Sequence, residues 1–157
     1  MSLTHLHLLV NHVPIIGSAI AVVLLAWALL ARSRELQRAG LLLVVVCGLA
    51  GFVAKQTGEE AEEQIESLPW AQKELIHEHE EAADKATIVM LIAGIAGAVA
   101  LVRMRKEGAA RAETIATTLV AAAGFALMAW TGFEGGHIRH EEIRPGFVLP
   151  ASAEHDD

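Results

Sequence analysis

Residues 6–31, LHLLVNHVPIIGSAIAVVLLAWALLA, carry no formal charge. A bilayer core takes about 20 apolar residues as a helix. A cleaved secretory leader instead needs a basic start, a short apolar stretch and a small-residue site. Here the run follows Met-Ser-Leu-Thr-His and is longer than that, so it reads as a retained transmembrane helix. Pro14, a few turns in, predicts a kink or a late helix start.

Three more apolar runs follow: Ala39 to Ala54, Ala86 to Val102, and Ile115 to Phe133. Trp27, Trp70 and Trp130 fall near run ends, where amphipathic rings settle at a membrane–water boundary. The chain is 54% hydrophobic with only 4% aromatic residues. Small and aliphatic residues therefore carry its hydrophobicity, as in packed membrane helices. The fold expected is all-α: an integral membrane four-helix bundle, up-down-up-down. Residues 1–150 form a single domain and 151–157 an acidic C-terminal tail.

Charge is segregated along the chain. The first connection holds Arg32, Arg34 and Arg38 against Glu35; the third holds Arg103, Arg105, Lys106 and Arg111 against Glu107 and Glu113. The positive-inside rule puts both in the cytoplasm. Both termini and the second connection are then extracytoplasmic, with five of the 12 basic residues and 16 of the 19 acidic ones. All eight histidines share that side: His5, His7, His12, His77, His79, His137, His140 and His155. The expected location is a bacterial inner, or cytoplasmic, membrane.

The second connection, residues 56–85, is long and reads as helical. Thr57 followed by Glu60 suggests a capping box. Ala61, Ile65 and Leu68 would give that short helix an apolar stripe. Pro69 suits a first helical turn, so a long third helix is expected from Pro69 to about Arg105, projecting outside the membrane. No internal repeat stands out.

The extracytoplasmic mouth gathers polar clusters from all four helices, which is how bundles build metal and cofactor sites. Helical phase puts His12 on a stripe with Ile16, Ala19, Val23 and Ala26, and His79 on one with Ile76, Ala83, Ala86, Met90, Ala93 and Gly97. Both stripes read as inward. His77 shares its face with Glu81 and Asp84 and looks solvated; His5 and His7 fall outside the bundle. Gly135-Gly136 blurs the phase beyond the fourth run, leaving His137 against His140 open, with His140 preferred.

Imidazole with carboxylate suits a first-row transition metal, Fe, Zn or Cu. The candidate metal ligands are His12, Glu59, Glu62, His79, Glu80, His140 and Glu141. Glu-x-x-His occurs at Glu74/His77 and Glu134/His137, the spacing of di-metal carboxylate bundles, but the first helix offers no matching Glu. The alternative cofactor is haem b, held by two of His12, His79 and His140. The carboxylates around the mouth weigh against it, since they would repel haem propionates. A lone histidine or Glu at such a boundary is more often part of a solvated rim, and the Glu59–Glu66 run reads as a solvated face. The single cysteine, Cys47, lies in an apolar run and reads as a small buried hydrophobe. Gly17, Gly48, Gly51, Gly94, Gly97 and Gly124 read as close helix packing.

The segments LHLLVNHVPIIG, TGEEAEE, HEHEEAAD and TGFEGGHIRHEE resemble, over residues 5–145, a family of small uncharacterised bacterial four-helix membrane proteins. Its first helix begins with a His-Phe-Pro-like motif, where this chain has Val13 in place of Phe. The resemblance singles out His12, Glu59, Glu62, His79, Glu80, His140 and Glu141, and implies no activity. The functions expected are a redox or metal-handling membrane site, a b-type cytochrome subunit of a larger redox complex, or a structural subunit. The partners are the lipid bilayer and other membrane or periplasmic redox proteins, with an acidic outer face suited to a basic partner. Nucleic acid is not expected: the basic residues sit in short turns and no phosphate-binding loop is present.

Overall fold

The computed structural model describes residues 2–107 and 110–149. The acidic tail and His155 lie outside the described residues. The chain is all helical, with helices α1 (Leu3–Val10), α2 (His12–Leu30), α3 (Arg34–Ile65), α4 (Lys73–Glu107) and α5 (Arg111–Arg139), then a 3-10 turn at Glu141–Ile143. Counting α1 and α2 together, four helical segments are long and apolar enough to cross a membrane.

The break between α1 and α2 falls at Asn11. Proline lacks the N–H that would bond the carbonyl four residues back, and its ring crowds that carbonyl. For Pro14 that carbonyl belongs to Val10, the last residue of α1, so the expected interruption is there. Ser33 caps α3 by accepting from the Leu36 N–H at 3.4 Å. Arg144 closes the end of α5, donating to the carbonyls of His137 at 2.8 Å and Ile138 at 3.1 Å. A cation at a helix C-terminus also meets the favourable end of the helix dipole.

Two expectations about the second connection fail. α3 runs unbroken through Ile65, so Thr57 is no N-cap. Its hydroxyl instead donates back to the carbonyls of Val53 and Ala54, the usual retreat of a threonine inside a helix. α4 begins at Lys73, and Pro69 lies in the turn before it. Arg139 of α5 stacks on Trp70 of that turn, 4.5 Å above the ring.

Leu25, Leu41, Val44 and Met90 are fully buried, but small residues fill much of the interior and many large apolar ones face out. The interior holds small or hydroxylated residues such as Ser18, Ala21, Gly48, Gly94, Thr114 and Thr117. Large apolar side chains face outward, with Val23 and Trp27 each 65% and Leu119 66% exposed. Apolar surface turned out and small surface turned in is what lipid as solvent selects. At the α3–α4 crossing, a Cβ on Gly48 would stand 2.9 Å from the Met90 carbonyl oxygen and 3.4 Å from the Gly94 Cα. The expected close-packing role of these glycines is therefore realised.

Consecutive helices run in opposite directions. Gly17 meets Cys47 and Gly40 meets Leu25; Gly48 meets Met90 and Gly97 meets Leu41; Gly97 meets Thr117 and Gly135 meets His79. α2 and α4 each pack against both α3 and α5, and neither α1 nor α2 brings a Cα within 8 Å of one in α4. α2 and α4 are thus diagonal partners.

The pattern of buried residues contains an internal repeat. α2 buries Pro14, Ser18, Ala21, Leu25 and Ala28; α4 buries Ala86, Met90, Ala93, Gly97 and Ala100 at the same spacing. α3 buries Gln37, Gly40, Val44, Cys47, Gly51, Ala54 and Thr57; α5 buries Thr114, Thr117, Ala121, Gly124, Met128, Thr131 and Glu134, again in step. A His-x-His pair, His5/His7 and then His77/His79, precedes each first helix's buried stripe at equal distance. The bundle is two helical hairpins of one design.

Candidate functional site

Among the described residues, the histidines that fold inward are His7, His79 and His137. His7, on α1, is half-buried, and its Nδ1 donates to the Ala54 carbonyl of α3 at 2.8 Å. His79, on α4, is half-buried, and its Nδ1 donates to the Thr131 carbonyl of α5 at 2.9 Å. A carbonyl oxygen only accepts, so in both rings Nδ1 carries the proton and the lone pair of the neutral ring is at Nε2.

Each ring also rests on a glycine one turn beyond its carbonyl partner. A Cβ on Gly58 would stand 3.1 Å from His7 Cε1, and one on Gly135 would stand 3.0 Å from His79 Cε1. Ala54 and Gly58 correspond to Thr131 and Gly135 in the repeat, so the two hairpins hold their histidines by the same device. His79 lies within electrostatic range of both His7 and Glu134.

The second hairpin carries an addition. Glu134 and His137 are each only 9% exposed. Glu134 Oε2 lies 3.5 Å from His137 Nδ1, and His137 sits edge-on against Phe133 with centroids 4.4 Å apart. His137 Nε2 is buried without a hydrogen-bond partner. Beside this pair a groove of about 390 Å3 opens between α4 and α5, lined by Glu78, Glu81, Ala82, Lys85, Leu127, Trp130 and Glu134.

Of the residues expected from sequence, His79 is where it was placed, on the inward stripe, and His77 is solvated as expected. His12 is not inward. It is exposed, and its Nδ1 reaches only the Leu8 carbonyl one turn back, at 3.2 Å. Its expected stripe contains Ile16 and Val23, which are 56% and 65% exposed. In lipid the large residues mark the outer face. The true inner stripe, Pro14-Ser18-Ala21-Leu25, extends back to His7.

His140 is likewise exposed and pairs with Glu142 at 2.8 Å, while His137 takes the buried position. α5 continues through Gly135 and Gly136 to Arg139, so the helical phase that the glycines were expected to blur is kept. Glu59 is exposed and binds Lys55 at 3.1 Å; the same lysine pairs with Asp84. Glu141 is exposed near Arg144 at 3.8 Å. Glu62 and Glu80 are half-buried, and Glu80 lies 3.6 Å from the exposed His77. Glu74 of the other Glu-x-x-His pair is exposed. Among the described residues, no three of His, Cys, Asp and Glu stand together as a metal-ion cage. The His12–His79–His140 set is not assembled.

Comparison of the chain with protein families, with curated proteins and with solved structures returns no match.

Proposed function

We propose that this is an integral membrane protein of the bacterial cytoplasmic membrane that holds haem b, with His7 and His79 as axial ligands, and serves one-electron transfer. The observation that carries this is the matched pinning of the two imidazoles. Each gives Nδ1–H to a backbone carbonyl, keeps Nε2 as donor atom, and lies against a glycine that leaves room beside the ring. A bonded Nδ1–H fixes the tautomer and orientation that a ligating Nε2 needs. The two rings come from diagonal helices with no Cα–Cα approach within 8 Å, from equivalent positions of two similar hairpins.

A bare transition-metal ion is the weaker reading. A protein ion site takes about three or four protein ligands, whereas a porphyrin already supplies four and asks the protein for axial ligands only. The carboxylate objection to haem also loses force. Glu134 is the one buried carboxylate of the mouth among the described residues; Glu59, Glu60, Glu63, Glu78 and Glu81 are exposed and Glu62, Glu80 and Asp84 half-buried. When bound, haem supplies reversible one-electron chemistry; the chain supplies position and exclusion of water.

The orientation follows the basic turns. Arg32, Arg34, Arg38, Arg103, Arg105, Lys106 and Arg111 lie at the end of the bundle away from His7 and His79, so the histidine layer is extracytoplasmic, as are both ends of the chain. Partners there would be membrane or periplasmic redox proteins. The resemblance to uncharacterised four-helix membrane proteins fits this reading without adding to it, since the residues it singles out on α2 and beyond α5 are the exposed ones.

The experiment is an optical spectrum and metal analysis of the protein purified after haem-replete expression. A Soret band with split low-spin features and stoichiometric iron is expected. Protein carrying neither haem nor metal overturns the proposal and leaves a structural subunit.

A further inference from the structure

The two hairpins differ where the second has Glu134 and His137. Thr57 stands at the position equivalent to Glu134, and the exposed Glu60 at that of His137. Thr57 satisfies itself on its own helix, so the fold does not require a carboxylate at this level. Burying a carboxylate without hydrogen bonds is costly. Glu134 nonetheless is nearly enclosed, with His137 its one ion-pair neighbour at 3.5 Å, while the His137 Nε2 is left without a partner. Glu134 lines the groove between α4 and α5.

That groove constrains its occupant. Trp130, 57% exposed, places it on the lipid-facing side of α5, so the occupant is membrane-soluble. Of the charged lining residues, Lys85 is taken up by Glu81 at 3.1 Å, and Glu78 and Glu134 remain to disfavour a fatty-acid carboxylate or a lipid phosphate. A bare acyl chain offers nothing to the buried carboxylate. A neutral ring carrying a hydroxyl donor satisfies both demands, stacking on Trp130 and donating to Glu134. About 390 Å3 suits one ring and its substituents. We propose that the α4–α5 groove binds the headgroup of a lipid-soluble hydroquinone, with Glu134 accepting a hydrogen bond from its hydroxyl.

The binding stands on the groove alone; only the following step rests on the haem reading. One hydroquinone gives two electrons, one to each of two ferric haem equivalents, releases two protons to water, and leaves as quinone.

The test uses protein purified without haem, reconstituted in phosphatidylcholine nanodiscs, in a Trp27→Phe/Trp70→Phe background where Trp130 alone fluoresces. Titration with a short-chain ubiquinol, kept reduced under anaerobic conditions, should quench Trp130 saturably. Glu134→Leu and Ala82→Leu, which narrows the groove, should each weaken half-saturation at least tenfold. Helix content by circular dichroism identifies any variant that fails to fold, and the other then decides. Linear, unsaturable quenching, as from quinol dissolved in the lipid, overturns the proposal. So does quenching that folded Glu134→Leu and Ala82→Leu proteins leave unchanged.

Discussion

His7 and His79 are structural equivalents: each lies one helical stripe before the buried face of its hairpin, and each gives its Nδ1 proton to a carbonyl of the partner helix, Ala54 or Thr131. Neither bond is needed to close a helix, because both carbonyls lie inside continuous helices. The bonds instead orient the imidazoles, which is what the proposed haem ligation requires of them.

Single substitutions should expose that pairing. His7→Ala and His79→Ala should each abolish the low-spin absorption and electron paramagnetic resonance signals of bis-imidazole haem. His12→Ala and His140→Ala, at exposed positions, should leave both signals within error. Loss of the signals in His12→Ala with retention in His7→Ala would reverse the ligand assignment.

The glycine seats should matter in proportion to their crowding. A methyl group at Gly135 stands 3.0 Å from the His79 ring, closer than an ordinary contact, so Gly135→Ala must tilt the imidazole. At Gly48 the obstacle is the Met90 backbone carbonyl at 2.9 Å, which cannot swing away, so Gly48→Ala must spread α3 from α4. Overpacking of this kind costs about 1–3 kcal/mol. Thermal unfolding in detergent should show Gly48→Ala destabilised in that range. Gly135→Ala should chiefly weaken haem retention, read from the Soret absorbance after dialysis.

Much of the fold is legible in the sequence and less of the site, for one physical reason. Apolar run length and arginine placement locate four helices whatever their rotation. Rotation is harder to read, because lipid inverts the soluble rule. Reading Ile16 and Val23 as inward put His12 in the bundle; reading Ser18 and Ala21 as inward would have found His7. The recurrence of His-x-His ahead of Pro14 and Ala86 carried the same information. The Gly135-Gly136 pair misled differently: α4 and the Arg144 cap hold α5 helical through it, so His137 stays in phase with Thr131 and Glu134. Such tertiary support leaves no local sequence signal.

Beyond the last helix, the exposed turn offers a titration. The Glu142 carboxylate is held below the usual glutamate value of 4.5, first by its own backbone N–H and then by His140. A carboxyl with a depressed folded value adds stability above its unfolded value, and that contribution fades as pH falls through the folded value. The window therefore lies below about pH 4.5, and full exposure keeps the effect small. Carbon-detected NMR should give a Glu142 midpoint under 4.5. His140→Ala should raise it part of the way back, since the backbone bond remains. An unchanged midpoint would show that the Glu142–His140 contact at 2.8 Å is not populated in solution.

Sidedness is checked through cysteine chemistry, and the chain suits the method. Cys47 is its single cysteine and is fully buried between helices, out of reach of an aqueous reagent. Background labelling by a membrane-impermeant maleimide should therefore be negligible. Arg34→Cys and Arg105→Cys place thiols at the basic end; Glu63→Cys and Glu81→Cys place them at the histidine end, all at exposed positions. In intact cells stripped of outer membrane, Glu63→Cys and Glu81→Cys should label and the arginine-site thiols should not. In inverted vesicles the pattern should exchange. Arginine substitution weakens the signal that orients the helices, so each is changed alone while five or more basic residues remain at that end. Labelling of Arg105→Cys and Glu81→Cys from the same side would put both ends of α4 on one face of the membrane. A helix of 35 residues, about 52 Å long, would then lie along the bilayer rather than through it.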